Sequence, residues 1–162
     1  MKSILNTMAL KVPEQKDILE CARRVLSIER AAVAALAPRL DCNFERAVQV
    51  ILACRGRVIV TGIGKSGLIG KKIAATLSST GTAAFFLHPA DAIHGDVGMV
   101  RSEDVVMCLS KSGNTDEISV LIPILKKIGV PIITLTGNLR SSLAERSDIV
   151  IDVGVESEAC PN

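Results

Sequence analysis

Between residues 57 and 153 the chain carries five short apolar runs, at 57–61, 83–87, 105–110, 131–136 and 149–153, and none of them alternates apolar with polar side chains. Each run is too short for a helix and is bounded by turn residues. A strand apolar at successive positions is covered on both faces, the condition of a parallel sheet with helices above and below it. Helical stretches separate the runs, most clearly at 66–79 and 116–128. Right-handed crossovers then predict an α/β fold: a doubly wound, five-stranded parallel sheet in the order 2-1-3-4-5, a flavodoxin-like three-layer sandwich. Ligands of such sheets bind beyond the C-terminal ends of the strands.

Upstream of the runs, Ile18, Cys21, Val25, Ile28, Ala32 and Leu36 recur at helical spacing, which predicts a helix over 14–37 stopped by Pro38. Asn43 is the expected N-cap of a second helix through Ala47, Val48, Ile51 and Leu52, with Gly56 as its C-terminal stop. The expectation is one domain over 1–162 that includes an N-terminal helical segment at about 14–55. No repeat or linker interrupts it. Ala31, Ala32, Val33, Ala34 and Ala35 make the first helix apolar over more of its circumference than a sheet can cover. A homo-oligomer with 18–36 in its interface is therefore expected.

Composition narrows the partners. Lys and Arg (19) nearly balance Asp and Glu (17), and the only aromatic side chains are Phe44, Phe85 and Phe86. Neither a basic footprint nor a stacking platform is available, so nucleic acid is not expected as a partner. No apolar run approaches the ~20 residues of a membrane helix, so no membrane association is expected. The cysteines (Cys21, Cys42, Cys54, Cys108, Cys160) are odd in number and form no CxxC pair, and MKSILNTMALKV reads poorly as a signal peptide. A reducing, cytoplasmic location is the expectation.

The strand ends carry the chemistry. The first strand runs into Gly62-Ile63-Gly64-Lys65-Ser66-Gly67, where two phosphate motifs compete. The three glycines satisfy GxGxxG, but the second strand ends at His88 and not at the acid a dinucleotide ribose needs. Gly64-Lys65-Ser66 resembles the end of a Walker A loop, but Ile59 stands where its first glycine belongs. What remains is a glycine-rich loop at a helix N-terminus, suited to an anion, or else a tight turn with no ligand.

The third strand ends in Ser110-Lys111-Ser112-Gly113-Asn114-Thr115, a second cradle of hydroxyls and amides, and the fourth adds Thr134-Leu135-Thr136-Gly137-Asn138. Glu117 has two readings. It closes a capping box with Asn114, or it is an ionised base beside a helix N-terminus. His94-Gly95-Asp96 follows the second strand, and Glu158 follows the fifth. His88 and His94 are the only histidines, a thin basis for a metal site, and no metal is expected.

TGIGKSG (61–67), SSTGT (78–82), FFLHPADAIHGDVGMV (85–100), SKSGNTDEI (110–118), PIITLTG (131–137) and EACP (158–161), in this order, resemble the sugar isomerase (SIS) domain family. Within it they are similar to the arabinose 5-phosphate isomerase branch. The likeness runs from about residue 20 to the end. It implies a reversible aldose–ketose isomerisation between D-ribulose 5-phosphate and D-arabinose 5-phosphate, feeding 3-deoxy-D-manno-octulosonate and so lipopolysaccharide or capsule.

By position, the resemblance makes Lys65, Glu117 and Glu158 the catalytic residues, and Ser110, Ser112 and Thr115 the phosphate loop. Gly64, Ser66 and His94 join them as substrate-binding candidates. It further implies a pentose 5-phosphate substrate, a tetramer, and no organic cofactor or catalytic metal. The chemistry agrees: a base moves a proton between adjacent carbons through an enediolate, and a cation such as Lys65 stabilises the oxyanion. Either glutamate serves as the carbon base, the other exchanging protons with the hydroxyls or opening the ring.

The family pattern continues past Ala159-Cys160-Pro161 into more of the phosphate loop, a helix and an active-site His, and usually into tandem cystathionine-β-synthase-type domains. With the chain ending at Asn162, an excised piece or a shortened member without those domains is expected. Two other functions compete with the isomerase. One is a non-catalytic phosphosugar-binding module. The other is a nucleotide-binding enzyme, which His88 and Ile59 disfavour.

Overall fold

The five apolar runs form the five strands of one all-parallel sheet: β1 (Val58–Gly62), β2 (Ala84–Phe86), β3 (Val105–Leu109), β4 (Ile132–Thr136) and β5 (Ile149–Asp152). Their order is 2-1-3-4-5, as the crossover rule predicts. The computed structural model describes residues 15–159. These fall into two units, Leu36–Val155, which holds the sheet, and a smaller one made of the chain up to Ala35 and from Glu156 onward.

In the sheet unit the register aligns Val60 with Met107, Met107 with Ile133, and Ile133 with Ile149. Successive residues of a strand point to opposite faces, and both faces are apolar because both are covered. On one face Val58, Val60, Met107 and Leu109 pack under α3 (Gly64–Ser79), and Val105, Ile133 and Ile149 pack under α2 (Cys42–Leu52). On the other, Ile59, Val106, Cys108 and Ile132 meet α4 (Pro89–Ile93), α5 (Asp116–Ile128) and α6 (Ser142–Arg146). The helix α5 contributes Ile118, Leu121, Ile122 and Leu125, a stripe at spacings of three and four that is at most 1% exposed. Gly129 ends it in the left-handed region (φ 86°), donating its N–H to Leu125 and Lys126 carbonyls.

Several local expectations are corrected. The N-cap of α2 is Asp41, not Asn43: its carboxylate accepts from the backbone N–H of Asn43 (2.9 Å) and Phe44 (3.3 Å). A carboxylate satisfies two orphan donors and also complements the helix dipole. Gly56 does not stop α2, which ends at Leu52. It makes room for Asp104, whose Oδ1 would lie 2.3 Å from a Cβ there. The buried Asp104 carboxylate accepts from the N–H of Arg57 (2.7 Å) and Arg101 (2.8 Å), tying the start of β1 to the turn before β3.

In the smaller unit, α1 spans Gln15–Ala34 and leaves Leu19, Leu26 and Val33 at least half exposed. It ends before Leu36. Pro38, which lacks an N–H and restricts the residue before it, lies instead in a short 3₁₀ turn, Ala37–Arg39.

Candidate active site

The cleft follows from how closely α3 and the end of β3 approach β1. A Cβ on Gly67 would lie 2.7 Å from the Gly62 carbonyl oxygen, and one on Gly70 would lie 3.0 Å from the Phe86 ring. Gly62 has the Leu109 carbonyl oxygen 3.0 Å from its own Cβ position, and Gly64 adopts φ 57°. These glycines let a helix start hard against two strand ends. The glycine pattern thus has a packing explanation that requires no dinucleotide.

The loop after β3 is held from within and from behind. Ser110, 4% exposed, shares a hydrogen bond with the Thr115 hydroxyl (2.8 Å) and accepts from the Gly113 N–H (3.1 Å). Ser112 Oγ accepts from the Asn114 N–H at 3.3 Å. Behind the loop, Gly137 N–H donates to the Lys111 carbonyl (3.0 Å), Asn138 Nδ2 to the Ser112 carbonyl (3.3 Å), and Leu143 N–H to the Gly113 carbonyl (3.1 Å). Gly113, at φ 66°, fits only because it has no side chain. A Cβ there would lie 2.0 Å from Ser141 Oγ.

The two loops face one cleft of about 450 Å³, lined by Ile63 and Ser66 from the first and by Leu109, Ser110, Lys111, Ser112 and Thr115 from β3 and the second. The helices that open on it, α3 and α5, have no side-chain cap, whereas α2, α4 and α6 are capped by Asp41, His88 and Ser141. Uncapped N-terminal amides at strand C-terminal ends suit an anionic ligand.

Of the candidate residues, Ser66, Ser110, Ser112 and Thr115 line this cleft together. Gly64 and Lys65 sit in the first turn of α3, both exposed, beside Ser66. Glu117 is exposed in the first turn of α5, and the capping-box reading fails: the N-cap is Thr115, one residue later than expected. Asn114 instead turns its side-chain oxygen to Ser142, accepting from its N–H (3.1 Å) and its hydroxyl (3.2 Å). Among the described residues Glu117 makes no side-chain hydrogen bond or ion pair.

His94 is exposed at the C-terminal end of α4 and does not line the cleft. His88 caps α4 through Nδ1, which accepts from the Ala90 N–H at 3.3 Å, and its ring meets Phe86 edge-on at 6.4 Å. Glu158 belongs to the smaller unit, where it is exposed. Sequence reasoning overlooked Lys111 as a cleft residue, although a second Lys inside a Ser-rich strand-end loop is the same signal that singled out Lys65. Cys108 lies beneath, fully buried, and burial pushes its thiol up to about 12. It is not a nucleophile.

A family profile described as the SIS domain matches residues 51–161. The chain is 51% identical over 146 residues to the probable arabinose 5-phosphate isomerase of Haemophilus influenzae, covering 90% of this chain and 43% of that protein. It is 47% identical over 152 residues to the arabinose 5-phosphate isomerase KdsD of Pseudomonas aeruginosa, covering 94% of this chain and 47% of that protein. The chain thus spans about half the length of the curated relatives it matches. Among solved structures, E. coli CFT073 c3406 in complex with arabinose 5-phosphate superposes with a TM-score of 0.87 at 39% identity, over 91% of this chain and 79% of that one.

Proposed function

The chain belongs to the SIS-domain family, and from that premise we propose that it is the isomerase domain of an arabinose 5-phosphate isomerase, interconverting D-ribulose 5-phosphate and D-arabinose 5-phosphate. One observation carries the reading: strand-end loops 62–67 and 110–115 converge on a single cleft, and the two helices that open there are uncapped. The names of the relatives suggest the sugar, since the cleft by itself is only suited to an anion.

In this proposal the phosphate is held by the hydroxyls of Ser110, Ser112 and Thr115 and by the amides at the start of α5. Hydroxyls and amides both donate to phosphate oxygens. Ser66, with Gly64 beside it, contacts the sugar, and His94, which lies outside the cleft lining, is given a substrate-binding role by the family resemblance alone. Lys65 stabilises the oxygen that becomes negative in the enediolate. Of Glu117 and Glu158, one takes the carbon-bound proton and returns it to the neighbouring carbon, while the other exchanges protons with hydroxyl groups. No redox change occurs, and the reaction as written calls for neither a cofactor nor a metal.

The proposal treats residues 1–162 as one phosphosugar isomerase domain acting in the cytoplasm as a homo-oligomer, a tetramer by family resemblance. Its product would enter 3-deoxy-D-manno-octulosonate synthesis. Among the described residues no helix is long and apolar enough to cross a membrane.

The test is conversion of D-ribulose 5-phosphate by this chain alone, and by this chain joined to the additional segment of a curated relative. Turnover by either form supports the isomerase. Binding of pentose 5-phosphate with turnover by neither would reduce the domain to a binding module. Absence of both would overturn the proposal.

A further inference from the structure

Away from the cleft, one cluster of charged and backbone groups has no role in the reading above. Arg39, in the turn before α2, donates through Nη1 to the Gly154 carbonyl (2.5 Å) and pairs with Asp152 Oδ1 (3.6 Å). The same Asp152 oxygen accepts from the Gly154 N–H at 2.8 Å, closing a turn where the chain leaves β5. Both side chains are about one-third exposed, at 29% and 33%, so the pair is only partly screened. The guanidinium thus holds one turn at two points, its carbonyl and the carboxylate that shapes it.

That turn lies against the site loop. Gly154 stands beside Gly137 so closely that a Cβ on Gly137 would meet the Gly154 Cα at 3.4 Å, and a Cβ on Gly154 would meet the Gly137 carbonyl oxygen at the same distance. Gly137 in turn donates to the Lys111 carbonyl, and the neighbouring Asn138 donates to that of Ser112. Val153 N–H bonds the Thr136 carbonyl at 3.0 Å, so the turn is tied to the end of β4. A continuous path of close backbone contacts therefore runs from Arg39 to the loop that lines the cleft.

We propose that Arg39 is a positioning residue: with Asp152 it clamps the exit of β5 and, through Gly154 and Gly137, fixes the placement of the Ser110–Thr115 loop. A merely stabilising contact would serve from any surface position. This one acts on a backbone carbonyl two contacts from Lys111, at the edge of the sheet where the cleft opens. A loop displaced by a fraction of its hydrogen-bond length holds its ligand out of line with the reacting groups. Arg39 itself touches no substrate.

The inference rests on the isomerase reading only for its activity measurement. Arg39→Met, which keeps an unbranched apolar stem but not the donors, should lower kcat/KM by about tenfold to a hundredfold, mainly in kcat, well below the variant's melting temperature. Arg39→Lys should fall in between, since an ammonium lacks the planar fork that serves two acceptors. A folded Arg39→Met with kcat and KM within about twofold of the parent overturns the proposal.

Amide chemical shifts provide the separate readout. Gly137 and Ser112 should shift in Arg39→Met and shift less in Arg39→Lys, and unmoved signals overturn the clamp whether or not the parent turns over. If neither the parent chain nor its extended form converts pentose 5-phosphate, the isomerase reading fails and these shifts alone decide the clamp. If Arg39→Met does not fold, Arg39→Lys and Asp152→Asn, which keep the residues' sizes, carry both measurements with the same criteria.

Discussion

Adding one methyl group at Gly113 tests how the cleft is built. Three costs arise at once. An L-residue at φ 66° carries roughly 1–2 kcal/mol of backbone strain. The new Cβ would sit 2.0 Å from Ser141 Oγ and 2.4 Å from Ser141 Cβ, an overlap that no rotation of the hydroxyl relieves, and overpacking of this kind costs about 1–3 kcal/mol. Pushing Ser141 aside also breaks its cap on α6, where Oγ accepts from the Ala144 N–H at 3.3 Å, worth about 1 kcal/mol. Gly113→Ala should therefore lose about 3–5 kcal/mol in urea denaturation, less than the plain sum because neighbouring effects are not additive.

Gly129→Ala is the control. It has φ 86° and nothing within 4 Å of its Cβ position, so it should lose only the strain, about 1–2 kcal/mol. Placing Ser141→Gly in the Gly113→Ala background removes the overlap and should restore part of the stability. Equal losses for the two glycine variants, or no recovery in the double variant, would refute the packing account of this loop.

Lys65→Ala and Glu117→Gln should each reduce isomerase turnover by about 10²–10⁴-fold in the form of the protein that turns over. Their melting temperatures should barely move, because both side chains are exposed and Glu117 caps nothing, and a large loss of stability with unchanged rate would reverse the assignment. Cys108 should resist thiol reagents at pH 8 in the native state while Cys21 and Cys42 react, and its labelling should track global unfolding. Because burial raises its thiol from 9.0 to about 12, the unfolded chain loses that proton first. Stability should fall as pH rises above about 9, and Cys108→Ala should flatten that slope. Sedimentation should show a species heavier than one chain, and a monomer at micromolar concentration would count against the proposed assembly.

Legibility in the sequence followed the physics of each element. The strands could be read because burial on both faces leaves no alternation, and their ends differ from expectation by about one residue. The helix α5 was bounded correctly at 116–128, since its apolar stripe spans three turns. Helices α4 and α6, five residues each, were not foreseen because a single turn has no periodicity to detect. Capping went wrong where polar side chains had rivals. Asp41 displaced Asn43 as the cap of α2, and Asn114 bonds Ser142, 28 residues away, a choice no local pattern encodes.

The site was legible as two anion-friendly loops because strand-end glycines and hydroxyls are sparse and distinctive. Lys111 was passed over because its neighbouring serines explained the loop by themselves. The path from Arg39 to the loop joins residues more than a hundred positions apart and has no sequence signature.

The bracing of the 110–115 loop also sets an order of events during synthesis. Among the described residues the Lys111, Ser112 and Gly113 carbonyls accept from Thr136, Gly137, Asn138 and Leu143, all later in the chain, so β3 can emerge and pair with β1 while these carbonyls still lack their partners. The 28 residues from Asn114 to Ser142 take roughly one to six seconds to polymerise at 5–20 residues per second. Until β4 (Ile132–Thr136) joins it, the half-built sheet has β3 as a bare, apolar edge. The hydroxyl loop is therefore among the last parts of the sheet unit to become rigid. A pause in synthesis before β4 has left the ribosome would lengthen exposure of that edge, whereas one after β4 has paired would not.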